Sequence, residues 1–192
     1  MFTYASTTDL ASIAATLRDD RRIIVTTHAK PDGDAIGSAL ALRRAFPDQV
    51  EILLLGPVTS AMRSVAGATP WQDAAQQMPA EGEDRVVVVD TGAFSQLEAI
   101  APWLRERPER IIVIDHHASG DDLGPTRYVD STAASCTMIV FELLELMSAD
   151  ITGGPEGVAE ALFCGLATDT GWFRHSNADA RAFAVASRLL EI

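Results

Sequence analysis

Three of the four histidines in this chain stand beside aspartates, directly after hydrophobic runs. His28-Ala29-Lys30-Pro31-Asp32-Gly33-Asp34 follows the run that ends at Thr27, and Asp90-Thr91-Gly92 follows Val86-Val87-Val88-Val89. Asp115-His116-His117 closes the run Ile111-Ile112-Val113-Ile114, and Asp169 sits in Thr168-Asp169-Thr170-Gly171 after an apolar, helix-like stretch. Each has an ordinary explanation when taken alone. An Asp after a strand caps a helix or turns the chain. Pro31-Asp32-Gly33-Asp34 makes a tight turn, paired histidines occupy a solvated loop, and Asp169 ends a helix. Independent accidents would not sort the histidines this way. Carboxylates ~4 Å apart repel by about 4 kcal/mol at an effective dielectric near 20, so four in one cleft demand protons or cations. Carboxylate mixed with imidazole suits Mn2+, Fe2+, Co2+ or Zn2+ better than Mg2+ or Ca2+. The clusters contain no Cys, which argues against a structural zinc site. Four carboxylates with two or three imidazoles exceed what one ion takes, so the donor count predicts two ions ~3.5–4 Å apart.

The elements that must position these groups are legible as β-branched runs alternating with helical patterns, the mark of a parallel sheet covered by helices. Strands are expected at 22–27, 51–55, 85–90 and 110–115, with a short edge strand at 127–129. Helices are expected from a Thr8-Asp9 cap to about Arg18, from Ile36 to Phe46, and from Ser95 to about Glu106, where Pro102 breaks or kinks the turn. Three more are expected over Ala133–Met147, from Gly157 to about Ala167, and from Asp179 to Leu190. Residues 58–83 read as a surface helix and loop. The expected fold is therefore α/β: a Rossmann-like parallel sheet of about five strands flanked by helices, followed by C-terminal helices. In such sheets ligands bind outside the carboxyl ends of the strands, where strand order reverses.

Composition narrows the function classes. A chain of 192 residues, 47% hydrophobic, buries one substantial core. The formal charge is −12 and Lys30 is the single lysine, so the chain is not expected to coat long duplex nucleic acid, whose affinity comes from neutralised phosphates. A small phosphorylated ligand remains compatible if cations supply local positive charge. No apolar stretch reaches the ~20 residues of a membrane span. The Met1-Phe2-Thr3-Tyr4-Ala5-Ser6 start lacks secretion-signal features, and Cys136 and Cys164 read as free core thiols, so a cytoplasmic location is expected.

The ordered set His28-x-x-Pro31-Asp32-Gly33-Asp34, Asp90, Asp115-His116-His117 and Asp169 resembles the DHH phosphoesterase family, over most of the chain from His28 to Gly171. That family includes RecJ-like exonucleases, family II pyrophosphatases, and oligoribonucleases that act on phosphoadenosine phosphate. Pro31-Asp32-Gly33-Asp34-Ala35-Ile36-Gly37-Ser38 and Thr168-Asp169-Thr170-Gly171-Trp172-Phe173-Arg174 look like the oligoribonuclease and phosphoadenosine-phosphate phosphatase group. Pyrophosphatases usually lack the glycine between the two aspartates, and RecJ-type nucleases are much longer. The resemblance implies that residues 1–192 form the metal-binding catalytic domain. The family's C-terminal substrate-binding domain, with its glycine-rich, histidine-containing motif, has no counterpart in these residues. The chain is therefore expected to be a fragment, an unusual single-domain member being the alternative.

The resemblance also implies roles. His28 and Asp32 would hold one metal, Asp34, His116 and Asp169 a second, and Asp90 would bridge them. Asp115 would orient the loop or a ligand imidazole from behind, and His117 would face the substrate phosphate. Arg174, His175, Lys30 and Ser38 are candidate substrate contacts. The implied cofactors are two divalent ions, Mn2+ first, with Mg2+, Co2+, Fe2+ or Zn2+ as alternatives. The implied reaction is hydrolysis of phosphate esters in short single-stranded RNA or 3′-phosphoadenosine 5′-phosphate by metal-activated water, with Asp90 and His117 at the chemistry and a homodimer allowed. The rival readings are a cyclic-dinucleotide phosphodiesterase or inorganic pyrophosphatase of the same family, and a non-catalytic nucleotide- or metal-binding module. A dinucleotide oxidoreductase is disfavoured, because no G-x-G-x-x-G follows the first strand.

Overall fold

The computed structural model describes every residue except Met1, Arg21, Glu81 and Glu83. In chain order the elements are α1 (Leu10–Asp19), β1 (Ile23–Thr26), α2 (Gly33–Ala45), β2 (Val50–Leu54), α3 (Ser60–Ala66), β3 (Gln72–Asp73) and β4 (Arg85–Val89). They continue with α4 (Ala101–Arg105), β5 (Ile111–Asp115), β6 (Thr126–Val129), α5 (Cys136–Leu146), α6 (Val158–Asp169) and α7 (Ala180–Glu191). All strand pairs are parallel, in the order β3-β2-β1-β4-β5-β6. Strand order reverses between β1 and β4, which opens a crevice at their carboxyl ends.

The four central strands, β2, β1, β4 and β5, are largely apolar because both sheet faces are covered there. Side chains of alternate residues point to opposite faces. Ile23, Val25, Val87, Val89, Ile112 and Ile114 join the larger core, with α1, α2 and α5. Ile24, Val86, Val88, Ile111 and Val113 join a smaller core, with Leu97, Ile100, Leu104 and Leu123. Helix α5 is buried on nearly all sides, since it lies between β5 and α6. Helix α6 packs mainly on α2 and α5, so it forms an outer layer that reaches over the crevice from above.

The parallel sheet is as expected, with six strands where the sequence predicts about five: Gln72-Asp73, within residues 58–83, pairs with Leu53-Leu54 at the edge of the sheet, and Glu81 and Glu83 lie outside the described residues. Two polar residues carry no strand pattern, so only the paired backbone marks them. Three details of the helices need correction. The helix expected from Ser95 is instead two single 3-10 turns, Phe94–Gln96 and Glu98–Ile100, before α4. Pro102 opens α4 rather than kinking it, in the first turn where a missing N–H costs no hydrogen bond. Helix α2 starts at Gly33 rather than Ile36, because Asp32 caps it by accepting from the Asp34 and Ala35 amides at 3.0 Å each. The remaining helices end within a few residues of their expected limits. None of the described helices is long and apolar enough to cross a membrane.

Close approach of α2, α5 and α6 depends on glycine. A Cβ on Gly37 would lie 2.5 Å from the Ala161 carbonyl oxygen, and one on Gly165 would lie 2.3 Å from Thr137 Cγ2 and 2.9 Å from Asp34 Oδ1. Gly37→Ala meets backbone that cannot swing aside, so it should destabilise the fold by about 1–3 kcal/mol. Urea unfolding measures this, and a midpoint equal to the wild type would contradict the close helix contact.

Candidate metal centre

The polar residues that follow β1, β4 and β5, and the last residue of α6, converge on the crevice. His116 Nε2 lies 3.3 Å from Asp90 Oδ1, and 3.7 Å from both Asp34 Oδ2 and Asp169 Oδ2. On the other side of Asp90, Oδ2 lies 3.6 Å from His28 Nε2. Two donor groups result, His28 with Asp32 and Asp90, and Asp34 with His116 and Asp169; within each, the donor atoms lie within 4.8 Å of one another. A third combination of the same kind is Asp90 with His116 and His117.

Local structure aims each side chain. Asp90 adopts a left-handed backbone (φ 59°), which Asp tolerates better than most residues, and so the chain turns as it leaves β4. Its Oδ1 is buried with no hydrogen bond, although His116 Nε2 is near. A buried carboxylate oxygen without a donor is costly unless a cation faces it. Asp34 sits at the amino end of α5, where its two oxygens accept from the Cys136 and Thr137 amides at 2.6 and 2.9 Å. The cap made by Asp32 uses Oδ1 alone, so capping and ligation are compatible in one side chain. His116 Nδ1 lies 3.3 Å from the Ala133 carbonyl oxygen, and donating there leaves Nε2 as the acceptor that faces the carboxylates. These oxygen and imidazole donors, with an orphaned oxygen among them, fit a divalent-metal site.

Asp115 is fully buried behind this cluster. Its Oδ1 accepts from the His116 and His117 amides and from His117 Nδ1, the last at 2.7 Å. Its Oδ2 accepts from the Tyr4 hydroxyl at 2.6 Å. Tyr4 was not among the candidates read from sequence, because nothing in its neighbourhood resembles a motif. Asn177 was missed too: its amide donates to the Ala134 and Asp169 carbonyls, tying the end of α6 to the start of α5.

The candidate substrate contacts diverge. Lys30 is exposed and lines a cleft of about 270 Å3 with His28, Ala29, Ser95 and Gln96. Ser38 is a correction: it is fully buried inside α2, where its neighbours exclude any phosphate. Arg174 and His175 are exposed in the turn after α6, which passes through left-handed Gly171, Trp172 and Phe173. Arg174 donates to the Gly171 carbonyl, and the His175 ring packs against Gly171.

The electrostatics follow from burial and crowding. Burial and the Asp90 charge push the Asp34 carboxyl well above its usual range, against the His116 charge and the Thr137 amide. Burial likewise raises Asp169. Burial would raise Asp90 as well, but the His116 and His28 rings outweigh it and hold that carboxyl low. Burial opposes a charged His116, yet Asp90, Asp34 and Asp169 together push its pKa up to about 9. The Asp115 hydrogen bond raises His117.

An open parallel sheet with this cluster at its switch point defines an α/β metal-binding domain. The profile described as the DHH family, N-terminal domain, matches residues 22–166, and the chain belongs to that family. It is 28% identical over 169 residues to the Thermus thermophilus bifunctional oligoribonuclease and PAP phosphatase NrnA, covering 88% of this chain and 49% of that protein. It is 30% identical over 181 residues to a Streptococcus mutans protein named "Probable manganese-dependent inorganic pyrophosphatase", covering 89% and 55%. The fold matches a solved exopolyphosphatase-related protein from Bacteroides fragilis with a TM-score of 0.82 at 21% identity, over 100% of this chain and 58% of that one. The chain thus spans about half the length of the curated relatives it matches.

A pH dependence of metal binding follows. Without metal, His116 carries a proton below about pH 9, and ligation requires its Nε2 lone pair. Binding below pH 9 should therefore release at least one proton. Affinity for Mn2+ should climb about tenfold per pH unit for each proton released, then flatten above pH 9. Calorimetry in buffers of different ionisation enthalpy counts the protons, and none released at pH 7 would remove His116 from the donor set.

Proposed function

We propose that this chain is the catalytic domain of a two-metal phosphoesterase that hydrolyses short oligoribonucleotides, 3′-phosphoadenosine 5′-phosphate, or both. His28, Asp32 and Asp90 hold one ion; Asp34, Asp90, His116 and Asp169 hold the other. The observation that carries this reading is the Asp90 carboxylate, whose two oxygens face two different donor groups, one of them buried without a hydrogen bond. Mn2+ is the favoured ion, from the mixed donors and from the manganese dependence in the name of the Streptococcus mutans relative. Bound there, the ion pair supplies Lewis acidity toward a phosphate ester and lowers the pKa of water.

The protein's own groups do the rest. The amino end of α5 keeps the Asp34 carboxylate fixed, and Asp115 holds the His117 ring by Nδ1. The His117 side chain is 51% exposed and the Asp115 hydrogen bond favours its protonated form, so Nε2 of that form is free to meet the phosphate and to give its proton to the departing ribose oxygen. The negative surface charge disfavours long nucleic acid and leaves short substrates, in keeping with the named activity of the Thermus thermophilus relative.

A second reading, an inorganic pyrophosphatase, is favoured by the matches to streptococcal proteins of that name. Gly33 speaks against it. It separates Asp32 from Asp34, and a Cβ there would lie 2.2 Å from Thr168 Oγ1. With Mn2+, release of mononucleotides from a short RNA or of phosphate from 3′-phosphoadenosine 5′-phosphate is expected to exceed pyrophosphate hydrolysis; the reverse order would select the second reading. Asp90→Asn should lower hydrolysis by about 100-fold or more and reduce bound metal from two equivalents. Undiminished activity with two equivalents retained would refute the bridge.

A further inference from the structure

The amino-terminal arm reaches the catalytic edge from a direction that no motif indicates. Thr7 and Ser6 bond to the exposed side of β6: Thr7 N donates to the Arg127 carbonyl at 2.8 Å, and Val129 N donates to Ser6 Oγ at 2.8 Å. Buried Arg127 donates to the Ala5 carbonyl and lies over the Tyr4 ring, with its guanidinium carbon 5.3 Å from the ring centre. The Tyr4 ring lies directly against Gly92 and Gly120, where a Cβ would fall 1.9 Å and 2.5 Å from its atoms. Gly92 lies two residues after Asp90, and Gly120 three after His117. The loops meet here as well, since Asp121 N donates to the Gly92 carbonyl at 2.7 Å. The ring is thus clamped between the two loops that carry site residues, and its hydroxyl donates to Asp115 Oδ2.

We propose that Tyr4 is a positioning residue for His117, acting through Asp115. The buried Asp115 carboxylate takes three donors on Oδ1, and Tyr4 is its one hydrogen-bond donor on Oδ2 among the described residues. With Oδ2 satisfied, the carboxylate cannot rotate away from His117. Its Oδ1 holds one imidazole proton on Nδ1, so the proton that the doubly protonated ring gives up is the one on Nε2, the nitrogen that meets substrate, and the Nδ1-protonated tautomer is what remains. Loss of the hydroxyl orphans a buried oxygen, and the carboxylate relaxes by turning toward other donors. The ring of His117, half-exposed and packed against the His116 ring, then samples both tautomers.

This inference rests on the reading that His117 faces the phosphate, and its test separates the two. Nitrogen-15 spectra of the metal-free protein, recorded at a pH that keeps the ring neutral, report the His117 tautomer without any turnover. The wild type should show the Nδ1-protonated form, and Tyr4→Phe a mixture of the two. In the Mn2+-loaded protein, Tyr4→Phe should lower kcat on a short RNA about tenfold, with KM and bound metal unchanged. The loss should shrink toward none on thymidine 5′-p-nitrophenyl phosphate, whose leaving group needs no proton. A purely structural role would lower both rates alike. An unchanged tautomer in Tyr4→Phe overturns the proposal, and so does a Tyr4 hydroxyl proton in the wild type that exchanges freely with water. Failure of the wild type to cleave RNA would sink the reaction reading and leave the tautomer result standing.

Discussion

Four carboxylates share one crevice at the switch point of the sheet, and everything around them serves to make that density of charge bearable. At separations near 4 Å their repulsion exceeds what a marginally stable domain tolerates uncompensated. Compensation here has distinct sources. The amino end of α5 faces Asp34 with two amides, and the imidazoles of His28 and His116 flank Asp90. Backbone donors from the His116-His117 loop, with the Tyr4 hydroxyl, satisfy Asp115. Asp90 Oδ1 is left over, and a cation is the natural partner for it.

The same requirement accounts for the unusual layering. A crevice at the edge of a doubly covered sheet receives ligands from strand ends alone unless another element reaches over it. Helix α6 does so from an outer layer, and glycines let it lie close enough to α2 and α5 for Asp169 to approach His116. The apolar surround of α5 follows: a helix that supports the carboxylate cluster with its amino end, and is packed between sheet and helix, has no face left for water. Fold and site are therefore one construction. The family membership agrees with this, since the matched segment spans the first three motifs and most of α6.

Much of the site was legible because its residues come in local groups. His28 to Asp34, Asp90, and Asp115 to His117 each follow a β-branched run, and a strand end announces itself through the abrupt change from apolar to polar. Asp169 was harder, since a helix end has many uses, and it gained meaning only beside the others. Ser38 was misjudged because periodicity does not say which faces of α2 are covered; here nearly all of them are. Gln72-Asp73 was invisible for a related reason, since it is held by backbone pairing with a distant strand rather than by its own residue pattern, while the turns from Phe94 to Ile100 close on local three-residue backbone bonds that the helical pattern does not distinguish.

What the sequence determined by itself was the donor inventory and the sheet that carries it, since residue type and alternation follow from local chemistry. Tertiary structure alone decided which atoms meet. It brought Tyr4 across 111 positions to Asp115, turned the two oxygens of Asp90 toward different partners, and set Asp34 against the amino end of a helix that begins 102 positions later. Contacts of that kind depend on packing between elements, and packing is a property of the whole folded chain that no local window of residues contains.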